Sequence, residues 1–214
     1  MPFMLPVETF LAFSLAALLL SISPGPSNLY IMARSIHQGF SGGAAAASGM
    51  AMGSFIYVLA SALGLAAVFT YAPLAYTLLK IAGALYLIYL GISYLRAKPA
   101  TPGETKVVDK RSLWSIFNQS IIVELTNPKT ALFFLAFLPQ FVNPEYGNVT
   151  LQFILLGSTY AFIALCCDLF VAALSGKLGH AMKQHPKLLH YQDKLSGSML
   201  LGLGTWLGAQ EALK

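Results

Sequence analysis

Three ionisable side chains stand where the sequence is otherwise apolar: Glu124 and Lys129 in the stretch 113–138, and Asp168 in the stretch 149–174. A charge at the centre of a bilayer-spanning helix costs about 2.5–3.5 kcal/mol, so such groups are expected to face inward and to pair. Acids and a cation gathered this way could bind an ion, relay a proton or hold both ends of a zwitterion. Two proline motifs accompany them. Ser23-Pro24-Gly25-Pro26-Ser27-Asn28 contains two residues without a backbone N–H, and Thr126-Asn127-Pro128-Lys129 contains one. Continuous helix is not expected through either motif. The carbonyl and amide groups set free there must meet protein, water or a ligand, because lipid cannot satisfy them. Glu124 and Lys129 are five positions apart, which is not a facing pair on an unbroken helix, although an opening at Pro128 could bring them together.

The elements that must position these groups follow from composition. The chain of 214 residues is 57% hydrophobic and only 10% charged, with a mean hydropathy of +0.68, whereas charged residues make up about a quarter of a soluble domain. A water-soluble globule is excluded. Positions 9–33, 35–79 and 146–167 hold no Lys, Arg, Asp or Glu, and a bilayer span needs roughly 20 apolar residues. With 23.0 kDa almost wholly in such stretches, no separate soluble catalytic or nucleic-acid-binding domain is expected. The partners are therefore the lipid bilayer and small molecules, not nucleic acid. Met1 to Val7 carries no Lys or Arg and no small-residue cleavage site follows, so the first segment is expected to stay as a span and not leave as a signal peptide.

Breaking the apolar stretches at their polar and proline signals predicts six helices, at 7–33, 43–70, 74–96, 113–138, 149–174 and 194–211. Arg34 falls in the first connection, Arg96, Lys98, Lys106, Lys110 and Arg111 around the third, and Lys177, Lys183, Lys187 and Lys194 around the fifth. The second and fourth connections hold none, which places both termini outside. The halves resemble each other. Lys80-Ile-Ala-Gly83-Ala-Leu in the third helix matches Lys194-Leu-Ser-Gly197-Ser-Met in the sixth, and Gly25-Pro26 in the first corresponds to Asn127-Pro128 in the fourth. Three spans per half invert the second copy in the membrane. The expected fold is thus an all-α membrane protein of six transmembrane helices in two inverted three-helix repeats, 1–97 and 113–214, joined by a cytoplasmic linker at 98–112.

Other features read as structural. Ala45, Gly49 and Gly53, like Gly204 and Gly208, recur every four positions and allow close helix contact within a protomer or between two protomers of a homodimer. Tyr86, Tyr89, Tyr94 and Trp114 read as interfacial belt residues, and Lys80 and Lys194 as snorkelling anchors. His180, His185 and His190 are spaced by five, unlike the i, i+4 pairs of helical zinc sites, and no metal or cofactor is expected. Adjacent Cys166 and Cys167 point about 100° apart on a helix, which does not suit a disulfide.

Taken in order, Ser23-Pro24-Gly25-Pro26, Gly83-Ala-Leu-Tyr86-Leu-Ile-Tyr-Leu-Gly91, Asn127-Pro128-Lys129 and Phe137-Leu-Pro139-Gln140-Phe141 resemble the lysine exporter and homoserine/threonine resistance (LysE/RhtB) family of amino-acid efflux proteins. The resemblance extends over essentially the whole chain. It implies export of amino acids or related small metabolites across the bacterial inner membrane, driven by the proton gradient. Pro24, Gly25, Pro26, Asn127, Pro128 and Lys129 match the family's signature positions, and Asp168 matches an Asp that several relatives carry in the fifth span. Glu124 stands where relatives more often show Asn. On the residues' own chemistry, amides freed near Pro26 and Pro128, with Lys129, would hold a carboxylate, while Glu124 or Asp168 would hold an ammonium group and exchange a proton; Asn28 is a further candidate for substrate binding or coupling. Two other classes compete. A divalent-cation exporter would use Asp168 and Glu124, although hard cations usually gather more oxygen ligands. A thiol-disulfide electron carrier would use Cys166 and Cys167, but the first and fourth helices hold no cysteine. An intramembrane enzyme would need a nucleophile with a positioned partner, and the spans offer none.

Overall fold

The computed structural model describes residues 5–22, 25–96 and 110–184, and in the C-terminal stretch residues 194, 197, 198, 201, 202, 204–206, 208 and 209. Pro24, the linker from 98 to 109, the side chains of Lys80, Tyr86, Tyr94, Lys177, His180 and Lys183, and all of His185, Lys187 and His190 lie outside the described residues. Among the described residues the elements are helical and no strand occurs. They are α1 (Val7–Ile22), α2 (Pro26–Ala60), a π-turn (Ser61–Leu65) leading into α3 (Ala66–Tyr71), α4 (Pro73–Arg96), α5 (Leu113–Leu125), α6 (Pro128–Leu132) and α7 (Val149–Gln184). A second π-turn (Phe133–Phe137) and a 3-10 turn (Leu138–Phe141) continue α6.

Both proline motifs break the chain where the missing donors require it. Pro26 and Pro128 each occupy the first turn of a new helix, the one helical position where a proline leaves no bond unmade. The expected first span, 7–33, is therefore two helices, and the fourth is α5 followed by α6 and its continuation, bent by 50°.

Within α2, Gly39 has φ 73° and ψ −172°, a left-handed φ that favours glycine, and the chain doubles back there. A Cβ on Gly42 would sit 3.0 Å from the Arg34 carbonyl oxygen, and one on Gly43 would sit 1.8 Å from Ser35 Oγ. Positions eight apart on a straight helix would be about 12 Å apart. The apolar helical stretch Pro26–Val68, 43 residues long, is thus two limbs, 26–38 and 40–68; as a rod it would measure about 65 Å, twice the hydrocarbon thickness. This corrects the sequence reading of Arg34 as a loop residue: it lies in the first limb, only 4% exposed. The connection shrinks to a tight turn at Gly39. At the other end, α7 runs on to Gln184, past the expected end at 174.

Packing follows side-chain size. Phe13 of α1 sits among Phe133, Phe137 and Phe141, with ring centroids 5.8, 6.2 and 5.3 Å away. Small residues bring the second limb of α2 against α5: Cβ positions on Gly49 and Gly53 would fall 2.2 Å from the Phe117 carbonyl oxygen and 2.7 Å from Glu124 Cβ. Gly91 and Gly197 put the described part of the C-terminal helix against α4 in the same way, and Gly204 does so against Ile88. These glycine faces are therefore used inside the protomer. Lys194 donates to the Leu95 carbonyl near the end of α4, so it ties two helices together where the sequence suggested a snorkelling anchor. Polarity is reversed relative to a soluble protein: Leu11, Leu15, Leu63, Phe162 and Phe170 face outward, while Ser27, Arg34, Ser54, Glu124, Asn127, Thr130 and Asp168 are buried.

Candidate functional site

The two helix breaks meet in the interior. There, Ser21, Ser27, Asn28, Glu124, Asn127, Lys129, Thr130, Tyr160, Ala164 and Asp168 line a small, partly open cavity. Of the residues singled out from sequence, Asn28, Glu124, Asn127, Lys129 and Asp168 are thus brought together. Gly25 lies directly beneath Lys129, where a Cβ would come within 3.2 Å of Nζ. Pro26 and Pro128 start the helices that carry Ser27, Asn28 and Lys129, while Pro24 lies outside the described residues.

The carbonyls freed at the breaks are satisfied across them. Lys129 Nζ donates to the Leu20 carbonyl at 3.1 Å and Asn28 Nδ2 to the Ser21 carbonyl at 3.2 Å, both in the last turn of α1. A cation there complements the negative end of the helix dipole. At the end of α5, Tyr57 donates from its hydroxyl to the Leu125 carbonyl at 2.7 Å. The Lys129 amide at the start of α6 donates to Asn127 Oδ1 at 3.0 Å, an ordinary N-cap, so this amide is already engaged and not free for a substrate carboxylate.

Glu124 does not take Lys129 as the partner for its hydrogen bonds. Its Oε2 accepts from Ser27 Oγ at 2.5 Å, and its Oε1 accepts from Ser54 Oγ at 3.0 Å and Thr130 Oγ1 at 2.9 Å. Ser27 Oγ in turn accepts from Asn127 Nδ2 at 2.8 Å. One carboxylate thereby joins both limbs of α2, α5 and α6. Sequence reasoning missed these hydroxyls. Ser27 lies within the first proline motif and Thr130 next to the second, but a Ser or Thr in an apolar helix normally bonds its own i−4 carbonyl, as Ser14, Ser21, Ser48 and Ser120 do here. Asp168, 7% exposed, presents the other acid to the cavity from α7. Tyr160 stacks on Phe133 with centroids 3.8 Å apart and closes one side.

A second polar group sits towards the turn at Gly39. Arg34 lies over the Tyr30 ring, 5.1 Å from its centroid, and donates to Tyr30 Oη at 3.2 Å and to Gln119 Oε1 at 3.2 Å. Gln38 holds the main chain of Arg111 by two bonds, Nε2 to the carbonyl at 2.7 Å and the amide to Oε1 at 3.0 Å. These contacts fasten the start of α5 to the reversing turn of α2.

The cavity combines a cation, two acids and several neutral donors behind a largely apolar exterior, a set suited to a small solute bearing both charges. A family model described as LysE type translocator matches residues 18–211. The chain is similar to a homoserine/homoserine lactone efflux protein of Salmonella typhi, 33% identical over 202 residues that cover 94% of this chain and 97% of the relative. It is also similar to a leucine efflux protein of Salmonella choleraesuis (strain SC-B67), 26% identical over 206 residues covering 96% and 97%. No solved structure gives a significant match.

Proposed function

The chain belongs to the LysE type translocator family, a membrane transporter and not an enzyme, and on that premise we propose that it exports an amino acid or a related small zwitterion from the cytoplasm in exchange for protons. The observation that carries this reading is the cavity at the meeting point of the two helix breaks, with Lys129 and two acids on its wall. Lys129 releases the Leu20 carbonyl and takes the substrate carboxylate, and an acid lining the same cavity takes the ammonium group. The efflux activities named for the relatives, homoserine, homoserine lactone and leucine, supply the first substrates to try.

The proposed architecture has six spans in two inverted repeats, 1–97 and 113–214, in the bacterial inner membrane with both termini outside. Its support is the matched breaks, each opening a helix on a proline, and the reversal at Gly39, which separates the first span from the second. Alternating access then rocks one repeat against the other around the cavity. Counterflow in proteoliposomes tests the function: preloaded unlabelled homoserine or leucine should draw labelled substrate inward, and a pH step should drive net movement. Absence of both for every amino acid would refute it.

A further inference from the structure

The cavity holds two acids, and their surroundings assign them different work. Glu124 is the better satisfied of the two, with three of its roughly four lone-pair sites taken. Three hydroxyls donate to its two oxygens, and the residue is 4% exposed with its stem against Gly53. The bond from Asn127 fixes the sense of the chain: Asn127 donates to Ser27, and Ser27 donates to Glu124 Oε2. A proton on Oε1 would displace Ser54 or Thr130 from the bond it makes there, while Oε2 keeps one lone pair beside the Ser27 bond. An incoming ammonium group would have to share these crowded oxygens with three hydroxyl donors already in place.

Asp168 is the reverse case. It is more than nine-tenths buried and lines the same cavity, yet no hydrogen bond from a described residue ends on its carboxylate. The charged or titratable groups around this cavity are Lys129 on α6, Glu124 on α5, and Tyr160 and Cys167 on its own helix. The lining residues of α1 and α2, namely Ser21, Ser27 and Asn28, are neutral. Asp168 therefore presents most of the acid lone pairs still open to a donor.

We propose that Asp168 is the acid at which the substrate's ammonium group and the coupling proton compete, and that Glu124 is a positioning residue that holds the two helix breaks in register. This rests on the export reading above. The step balances: the Asp168 carboxyl O–H bond breaks, its proton passes to cytoplasmic water, and the carboxylate receives the ammonium group of a substrate whose carboxylate lies on Lys129.

The test measures the KM for exchange of labelled homoserine or leucine against pH, with the full chain in proteoliposomes. One proton competing with one substrate raises KM by up to about tenfold per pH unit on the acid side. Asp168→Asn should give a high KM that no longer varies with pH, and Asp168→Glu should restore the slope. Glu124→Gln should keep the slope while lowering the amount of folded protein. A slope that survives in Asp168→Asn, or disappears in Glu124→Gln, overturns the assignment. Carbodiimide labelling of the unaltered protein gives a second reading independent of how the variants fold: the adduct should form on Asp168 and be blocked by substrate, and a substrate-protected adduct on Glu124 would refute the proposal. If the unaltered protein moves no amino acid at all, the export reading itself fails, and this outcome is distinct from transport that depends on the wrong acid.

Discussion

Replacing Gly49 by alanine should separate α2 from α5. The added Cβ would lie 2.2 Å from the Phe117 carbonyl oxygen and 2.7 Å from Ser120 Cβ, whereas carbon-to-carbonyl contacts settle at about 3.3–3.6 Å. The oxygen belongs to the backbone and cannot rotate away, so the two helices must part by about 1 Å. Overpacking of this kind costs about 1–3 kcal/mol. Taking about 2 kcal/mol, and roughly 2–4 °C per kcal/mol for a chain of this size, the melting temperature should fall by about 4–8 °C. Trp114, stacked on Phe117 at 5.4 Å between centroids, reports on the contact through its fluorescence in detergent-solubilised protein. Gly64→Ala is the control, because its Cβ meets nothing within 4 Å, and it should melt at or slightly above the unaltered temperature. If Gly49→Ala melts with the control, the close approach of these helices is not what holds them.

Three further outcomes are expected. Ser54→Ala or Thr130→Val removes one of the three donors to Glu124, and a hydrogen bond to a charged group contributes about 1.5–3 kcal/mol; each variant should melt lower, by thermal scan, without a change in its circular dichroism. Lys129→Met keeps the length of the side chain but loses the ammonium group that bonds the Leu20 carbonyl, so substrate affinity in counterflow should weaken about tenfold or more. Gln38→Ala cuts both bonds to the Arg111 main chain, and hydrogen exchange at the Arg111 amide should quicken by roughly tenfold.

The breaks at Pro26 and Pro128 were legible because proline removes a donor wherever it stands, a property local to the residue. The acids and Lys129 were legible for a similar reason, as charges within apolar runs. The partners of Glu124 were not. Ser27 and Ser54 reach it over 97 and 70 positions of chain, and nothing in their neighbours distinguishes them from serines that bond their own helix. Arg34 misled for a physical reason: a charge ending an apolar run normally marks the water interface, but Tyr30 and Gln38, one turn before and after it, supply a polar stripe that lets the guanidinium remain inside. That i−4, i+4 spacing was the available signal. The doubling back at Gly39 depends on a backbone angle, and a glycine in sequence does not declare its angle.

The grip of Gln38 on position 111 uses only a peptide group, an N–H and a C=O that every residue but proline possesses. The arginine side chain there takes no part in those two bonds. Genetic drift at that position is therefore silent to the fastening, and a cationic, anionic or apolar replacement leaves it closed. Proline alone, lacking the N–H, would unbutton one side of it.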